Sequence, residues 1–374
     1  MNDTLIGLAE RVRQAAAAKA ILRIRGGSTK QAMAGVISDA ATLDMRSYSG
    51  IVDYAPSELV ITARAGTPLV ELERLLAQRD QCLPFDPPRF ADADGKLTGT
   101  VGGMVASGLA GPGRASVGGV RDYVLGVMLL NGRGDLMHFG GQVMKNVAGY
   151  DVSRLVAGSW GALGAICEVS LKVLPMPVAT TTLRFDMRQA EALETLHAWA
   201  GQPLPINASV WWRDTLAIRL RGAKAAVDAA VQRLGGEVIP PEVGRAFWDG
   251  LRDQRDEFFI EAREAAAREN SALWRLSLPP TTPVLPSFLD TLIEWGGAQR
   301  WIVAPAEDTL VMHRAERAGG SAFRVSGGVG DGAGYATPLA PALLAIHRRL
   351  RDSFDPHRVF VPGRPMRFQE DEKL

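Results

Sequence analysis

Thr98-Gly99-Thr100-Val101-Gly102-Gly103-Met104-Val105-Ala106-Ser107-Gly108 opens the stretch, Thr98 to Ile166, around which this chain is organised. Nine glycines fall between Gly95 and Gly119, spaced mostly by Val, Met, Leu and Ala. A flexible linker is Gly/Ser-rich and polar throughout. Glycine alternating with apolar residues instead lets backbone approach a neighbour closely, or turn through positive φ. The pattern points to a large flat cofactor with a pyrophosphate as that neighbour.

Two more glycine clusters flank this one. Ala20 to Ile24 reads as a short apolar strand running into Arg25-Gly26-Gly27-Ser28-Thr29-Lys30. Consecutive glycines followed by hydroxyls and bordered by cations suit a backbone nest for anionic oxygens, and equally suit a surface turn. Gly158-Ser159-Trp160-Gly161-Ala162-Leu163-Gly164-Ala165-Ile166 reads as a loop entering a strand. It is either a backbone surface lying flat against a planar group or a turn packed on the core. Three such clusters together favour the ligand reading over three unrelated turns.

Composition bounds the rest. At 374 residues the chain is long enough for two domains, since single cores stop growing near ~250–300 residues. A net charge of +1 gives no general reason to expect nucleic acid or an anionic membrane as partner. Two cysteines, Cys82 and Cys167, supply neither a disulfide framework nor the ligands of an iron–sulfur cluster. No run approaches the roughly 18 apolar residues of a membrane span, and Glu10, Arg11, Arg13 and Lys19 break the alanine-rich N-terminus. The expectation is a cytoplasmic protein with no metal site.

In chain order, residues 4–19 read as a helix with Leu5, Leu8, Ala9 and Val12 on one face. Leu59 to Ala65 reads as a strand. Thr67-Pro68 then opens a helix, with the hydroxyl as N-cap and proline at the first helical position. Tyr123–Leu130 and Leu136–Phe139 read as a hairpin turned at Asn131-Gly132, and Ala165–Leu174 as a further strand. Pro175 and Pro177 mark the boundary. Beyond it come strand Thr181–Phe185, helix Gln189–Trp199, strands Ala208–Trp212 and Leu216–Leu220, and helix Ala223–Leu234. A second round follows: strand Trp274–Leu278, helix Pro286–Trp295, strand Arg300–Ala304, helix Thr309–Arg317 and strand Ala322–Val325. This spacing predicts an antiparallel sheet covered by helices, of ferredoxin-like type, with a charged helical insertion at Pro241–Asn270. Pro338–Arg351 reads as a last helix, followed by Phe354-Asp355-Pro356 and Pro362-Gly363-Arg364.

Several catalytic motifs are approached and missed. Gly111-Pro112-Gly113-Arg114-Ala115-Ser116 lacks the third glycine and the preceding strand of a dinucleotide fingerprint. Ala157-Gly158-Ser159-Trp160-Gly161 lacks the strand–turn–helix context of a hydrolase nucleophile. The five histidines are scattered without metal-ligand spacing. No residue is assigned a catalytic role.

Together the glycine clusters resemble the FAD-binding domain of the vanillyl-alcohol oxidase/PCMH flavoprotein family. Arg25, Gly26, Gly27, Ser28, Thr29 and Lys30 match its first pyrophosphate loop. Thr100, Gly102, Gly103, Ala106 and Ser107 match its second glycine segment. Gly119 to Gly126, with Asp122 and Val124, match the next block, and Gly158, Ser159, Gly161, Gly164 and Ile166 the block entering the last strand. The resemblance covers roughly residues 20–175 and Phe354–Arg364. Within the family, Lys145-Asn146-Val147-Ala148-Gly149-Tyr150-Asp151, the length and the Phe-Asp-Pro tail are closest to the FAD-binding subunits of bacterial glycolate oxidases.

That resemblance implies an α+β fold. A two-subdomain PCMH-type FAD-binding domain takes 1–176, and a ferredoxin-like antiparallel cap takes 177–337. A C-terminal helix and tail, 338–374, returns to the first domain. It implies FAD, held non-covalently, because Ser28 and Thr29 stand where covalently flavinylated relatives carry a histidine. It further implies a 2-hydroxy acid substrate, a paralogous flavoprotein subunit and an iron–sulfur subunit as partners. Membrane contact, if any, would be peripheral and through those partners. The sequence also departs from the family. Ser326-Gly327-Gly328-Val329-Gly330-Asp331-Gly332-Ala333 lacks the histidines and asparagine of the catalytic cap motif, and Val361-Pro362-Gly363 replaces Asn-Pro-Gly. Arg324 remains either a carboxylate ligand or a surface arginine. A stand-alone FAD oxidoreductase acting on another hydroxy acid or alcohol, and a non-catalytic structural subunit, stay open as alternatives.

Overall fold

The computed structural model describes residues 3–34, 40–92, 94–141, 151–268, 271–286, 288, 290–306, 309–327 and 336–363. The chain divides into two compact units. One comprises Met1–Leu109, Gly119–Met176 and Leu339–Leu374; the other comprises Ala110–Gly118 and Pro177–Pro338.

In the first unit, α1 (Asp3–Ala18) buries Leu5, Leu8, Ala9, Val12 and Ala15, the i, i+3, i+4 spacing of one helix face. That face belongs to a core with Leu43, Met45, Tyr48, Leu130, Cys167 and Phe360. β1 (Leu22–Arg25) pairs in parallel with β2 (Ala41–Asp44). The C-terminal tail adds to β1: the Leu22 N–H donates to the Val359 carbonyl at 2.7 Å, and the Val361 N–H donates back to Leu22 at 3.0 Å. β3 (Ile51–Ala55), β4 (Val60–Arg64), β5 (Val124–Leu130), β6 (Leu136–Gly140) and β7 (Ala165–Lys172) form an antiparallel sheet in the order β3-β4-β7-β5-β6. All seven residues of β5 are buried, so its run of Val, Leu and Met carries no alternation.

α2 (Leu69–Ala77) begins one residue later than its sequence suggests. Pro68 occupies the N-cap position. The Thr67 hydroxyl instead accepts from the Gly50 N–H at 2.9 Å and donates to the Gly50 carbonyl at 3.1 Å. α3 (Val101–Ser107) is capped by Thr100, whose hydroxyl accepts from the Gly103 N–H at 3.2 Å.

The second unit is built on one eight-stranded antiparallel sheet. Its first half contains β8 (Ala179–Asp186), α4 (Gln189–Ala200), β9 (Ile206–Trp212), β10 (Thr215–Gly222), α5 (Lys224–Leu234) and β11 (Glu237–Ile239). The charged insertion is two helices, α6 (Pro241–Arg252) and α7 (Glu257–Arg268). The second half contains β12 (Ser271–Ser277), β13 (Thr291–Glu294), β14 (Gln299–Pro305), α8 (Thr309–Arg317) and β15 (Ser321–Gly327). The strand order is β11-β8-β10-β9-β13-β14-β12-β15. Each half therefore has its strands in the ferredoxin-like order 4-1-3-2, and the halves join through their second strands, with Val210 opposite Glu294 and Trp211 opposite Ile293.

The expected helix Pro286–Trp295 is a correction: residues 291–294 are strand β13, paired to β9 and β14. Among the described residues, the second half thus shows no counterpart of the first helix. Pro279, Pro280, Pro283 and Pro286 in the connecting segment remove N–H donors and block helical backbone. The buried Arg300 holds that segment in the helix's stead. Its Nη1 donates to the Pro283 carbonyl at 2.7 Å and its Nη2 to the Thr282 carbonyl.

α9 (Pro341–Phe354) returns the chain to the first unit. It is followed by Asp355, fully buried, whose carboxylate accepts from the N–H groups of Val359 at 2.9 Å and Phe360 at 2.8 Å. Lys145–Tyr150 and Gly328–Ala333, quoted above for the family likeness, lie outside the described residues.

Candidate functional site

An open cleft, about 1120 Å³ when the solvent space at its mouth is counted in, lies within the first unit. Three segments remote in sequence converge on it. The end of β1 and the turn after it contribute Arg25, Gly26, Gly27, Ser28, Thr29 and Lys30. α3 and its cap contribute Thr100, Gly102, Gly103, Ala106 and Ser107. The loop into β7 contributes Gly161, Gly164 and Ile166.

Asp122, Val124, Gly158 and Ser159 do not line the cleft. Asp122 caps its own short helix, its Oδ2 accepting from the Gly119 N–H at 2.8 Å. Val124 is buried at the start of β5, and the Gly158 N–H donates to the Val105 carbonyl at 3.0 Å behind α3. Ser159 is buried, and its hydroxyl has no hydrogen-bond partner among the described residues. No imidazole activates it as a nucleophile.

The first turn has the geometry of an anion cradle. Among the described residues, the N–H groups of Gly27, Ser28, Thr29 and Lys30 find no acceptor within the chain. Ser28 sits at φ +58°, a left-handed conformation uncommon for a residue with a side chain. Alternating hands along successive residues turn adjacent N–H groups into one concavity that suits phosphate oxygens. Lys30 closes the turn with its ammonium 5.8 Å from the Phe90 ring centre. Lys30 is half-buried by area, yet protein crowds its ammonium, and that desolvation lowers it to about 8.

The glycines here divide by what a side chain would strike. A Cβ on Gly27 would collide with the Thr98 carbonyl, and one on Gly102 would lie 2.6 Å from the Ala65 Cβ. Those glycines let the wall segments pack against each other. A Cβ on Gly103 would meet only the Thr100 hydroxyl, at 3.3 Å. Gly103 borders open space in the cleft.

The structure adds wall residues that the glycine patterns do not reveal, among them Met45, Ala65, Trp160 and Val361–Gly363. Trp160, at φ +49°, ties two of the segments together. Its N–H donates to the Ala106 carbonyl, and its carbonyl accepts from the Gly363 N–H, each at 2.9 Å. The only sequence signal for it was an aromatic residue inside a glycine loop.

The second unit holds its own group of buried charges. Glu294 is 4% exposed, and its Oε2 accepts from the Gln299 amide at 2.8 Å and the Trp301 indole at 2.7 Å. Burial pushes its carboxyl up to about 7. Burial and the nearby Arg114 lower Arg275, which lies opposite Trp301, to about 10. Arg324 is buried rather than on the surface, with Nη1 donating to the Ala306 carbonyl at 2.7 Å. His197 bonds the Pro280 carbonyl through Nε2 at 2.7 Å, and His313 is exposed on α8. Among the described residues, no three His, Cys, Asp or Glu side chains are grouped to hold a metal. No described helix is long and apolar enough to cross a membrane.

Residues 7–140 match the family model for an FAD binding domain. Alkyldihydroxyacetonephosphate synthase superposes with a TM-score of 0.63, over 94% of this chain and 74% of that one. At 15% identity, the likeness is one of fold. The Bacillus subtilis (strain 168) glycolate oxidase subunit GlcD is 32% identical over 133 residues, 36% of this chain and 27% of that protein. The Escherichia coli (strain K12) glycolate oxidase subunit GlcE is 45% identical over 357 residues, 96% of each chain. With that identity sustained from end to end, the chain belongs to the family of the glycolate oxidase subunit GlcE.

Proposed function

We propose that this chain is the FAD-binding subunit of a glycolate (2-hydroxy acid) oxidase or dehydrogenase complex. The observation that carries the cofactor assignment is the run of N–H groups at Gly27–Lys30, without acceptors among the described residues, on residues that line the cleft. Backbone donors left to water in the empty cleft, beside a lysine, can bind the oxygens of a pyrophosphate. Arg25 and the α3 segment around Thr100, Gly103 and Ser107 hold the rest of the dinucleotide. Asp122, Val124, Gly158 and Ser159 support the wall from behind. Gly103 leaves the room that a planar ligand needs. Bound FAD supplies a two-electron acceptor for oxidation of the substrate's α-carbon to a carbonyl. Ser28 and Thr29 offer no histidine for covalent attachment, so the flavin is held non-covalently.

The first unit is the FAD-binding domain and the second is the cap. His197 is engaged by the Pro280 carbonyl and His313 is on an exposed helix, so neither is poised as a base above the cap sheet. Substrate oxidation then takes place either over this chain's flavin or in a paralogous flavoprotein subunit that assembles with it. Two cysteines do not make an iron–sulfur cluster, so electrons leave through an iron–sulfur subunit. The chain acts in the cytoplasm, with any membrane contact made by its partners.

The test is absorbance of the purified chain with and without glycolate or D-lactate, followed by reduction of an artificial dye. The isolated chain should carry flavin and reduce the dye poorly, with activity appearing on co-expression with both partners. Robust dye reduction by the chain alone, unchanged by the partners, would overturn the complex.

A further inference from the structure

Arg275, in β12, carries a charge that no neighbouring side chain pairs. Its Nε is buried without a hydrogen-bond partner, and among the described residues the guanidinium makes no hydrogen bond or ion pair. A guanidinium taken from water is ordinarily paired, because an uncompensated charge there is expensive. Arg275 is half-buried, and its two terminal nitrogens still reach accessible space. Strand pairing sets it between Trp301 on β14 and Phe323 on β15, with the guanidinium carbon 5.8 Å from the Phe323 ring centre.

Two further groups gather beside it. Arg114 is held to this unit through Trp295, whose indole donates to the Gly111 carbonyl and whose ring centre lies 4.7 Å from the Arg114 guanidinium. Arg114 also makes no hydrogen bond or ion pair among the described residues, and it is near enough to Arg275 to lower it. The second group is Glu294. The register pairs Arg275 with Trp301, Trp301 with Leu292 and Gln299 with Glu294, so Arg275, Trp301 and Glu294 share one face of the sheet. Gln299 and Trp301 both donate to Oε2 of Glu294, whereas its Oε1 has no partner among the described residues. Arg275 and Glu294 each act on the other's charge without forming an ion pair.

The group therefore offers two guanidinium donors, one free carboxyl oxygen and, with Glu294 ionised, one uncompensated positive charge. Its complement is a planar monoanion that accepts from arginine and carries a hydroxyl to donate. A phosphate dianion would meet Glu294 with like charge. We infer that Arg275 and Arg114 bind the carboxylate of a small 2-hydroxy monocarboxylic acid, with Glu294 accepting from its hydroxyl. This rests on the 2-hydroxy acid reading above and gives that acid a site among the second unit's own residues.

The test is calorimetric titration of the purified full chain with glycolate, acetate, glycolamide and inorganic phosphate at constant ionic strength. Glycolate should bind saturably and shift tryptophan emission, because Trp295 and Trp301 flank the site. Acetate should bind more weakly, and glycolamide not at all. Arg275→Met should weaken glycolate roughly 10- to 150-fold, the loss expected for a hydrogen bond to a charged group. Arg275→Lys should recover part of that loss. Without ligand, Arg275→Met should melt no lower than wild type, since it removes an unpaired charge. Unchanged glycolate affinity in Arg275→Met, or a melting temperature that falls together with affinity, would overturn the assignment. So would acetate bound as tightly as glycolate, or phosphate bound more tightly. Flavin content is read on the same preparations. A flavin-loaded chain that binds no glycolate removes this site and leaves the oxidase reading; a flavin-free chain that binds glycolate through Arg275 keeps this site and removes the FAD assignment.

Discussion

Substituting Gly103 separates a glycine needed for a ligand from a glycine needed by the scaffold. In the protein alone, a Cβ at Gly103 meets only the Thr100 hydroxyl, at 3.3 Å, and Gly103 lies inside α3. Gly103→Ala should therefore keep the melting temperature of the cofactor-free protein or raise it, because alanine is favoured over glycine in a helix by ~0.8–1 kcal/mol. Gly102→Ala places its Cβ 2.6 Å from the Ala65 Cβ and 3.0 Å from the Ala65 carbonyl. Such overpacking costs ~1–3 kcal/mol, which for a unit of this size lowers melting by roughly 2–12 °C. Gly103→Val goes further into the cleft. If the valine must be forced aside by the cofactor at the same ~1–3 kcal/mol, FAD binds roughly 5- to 150-fold more weakly. Calorimetric titration of deflavinated protein with FAD measures the affinity, and thermal melting of the same preparations reports the scaffold. Wild-type FAD affinity in Gly103→Val, or equal destabilisation of the cofactor-free Gly102→Ala and Gly103→Ala proteins, would refute the reasoning.

Acid precipitation of the purified protein should leave the flavin in the supernatant; flavin retained in the pellet would show a covalent link. With Lys30 near 8 in the empty cleft and its ammonium favoured by bound pyrophosphate, FAD affinity should fall as pH rises past 8. Lys30→Met should flatten that profile in titrations at pH 7 to 10. In the cofactor-free protein the sign reverses. Lys30 titrates near 8 folded and 10.5 unfolded, so the unfolded chain holds more protons between them and stability rises with pH across that window. Glu294 is raised from 4.5 to about 7, so the folded state holds the extra proton and its contribution to stability is lost between pH 4.5 and 7. A shift of that size corresponds to about 3 kcal/mol, so Glu294→Gln should melt with a visibly flatter dependence from pH 5 to 8.

Five of the first unit's strands were legible because each is bounded by turn chemistry, as with Val60–Arg64 before Gly66, whereas Ala41–Asp44 and Ile51–Ala55, short and largely unburied, were not assigned. Nor was β13. Thr291 and Ile293 face one side of the sheet and Leu292 and Glu294 the other, yet all four are buried. No alternation survives, and Pro286 ahead of Leu292 and Ile293 imitates a helix start. Ala110–Gly118 was illegible for a different reason. Its place in the second unit depends on Trp295, whose indole donates to the Gly111 carbonyl at 3.1 Å and whose ring lies 4.7 Å from the Arg114 guanidinium. Local pattern carries no information about a partner so far along the chain. In the cleft, the glycines announced close approach correctly but not of what to what. Gly27 and Gly102 pack wall against wall, while Gly103 borders the open space.

The pairing of Leu22 with Phe360 sets the timetable of biosynthesis. At ~5–20 residues per second, β1 leaves the ribosome roughly 20–70 s before its tail partner is made. Closing so long a loop costs about 5 kcal/mol in chain entropy, which the neighbouring contacts of Val359 and Phe360 must offset. Meanwhile one edge of β1 stays open, the kind of edge that recruits stray strands. The cleft wall at Val361–Gly363 is likewise finished last, so the nascent chain has no complete cleft. On the proposed placement of FAD in this cleft, flavin loading is expected to follow synthesis, and chains that stall before Val359 are released with an unpaired strand edge.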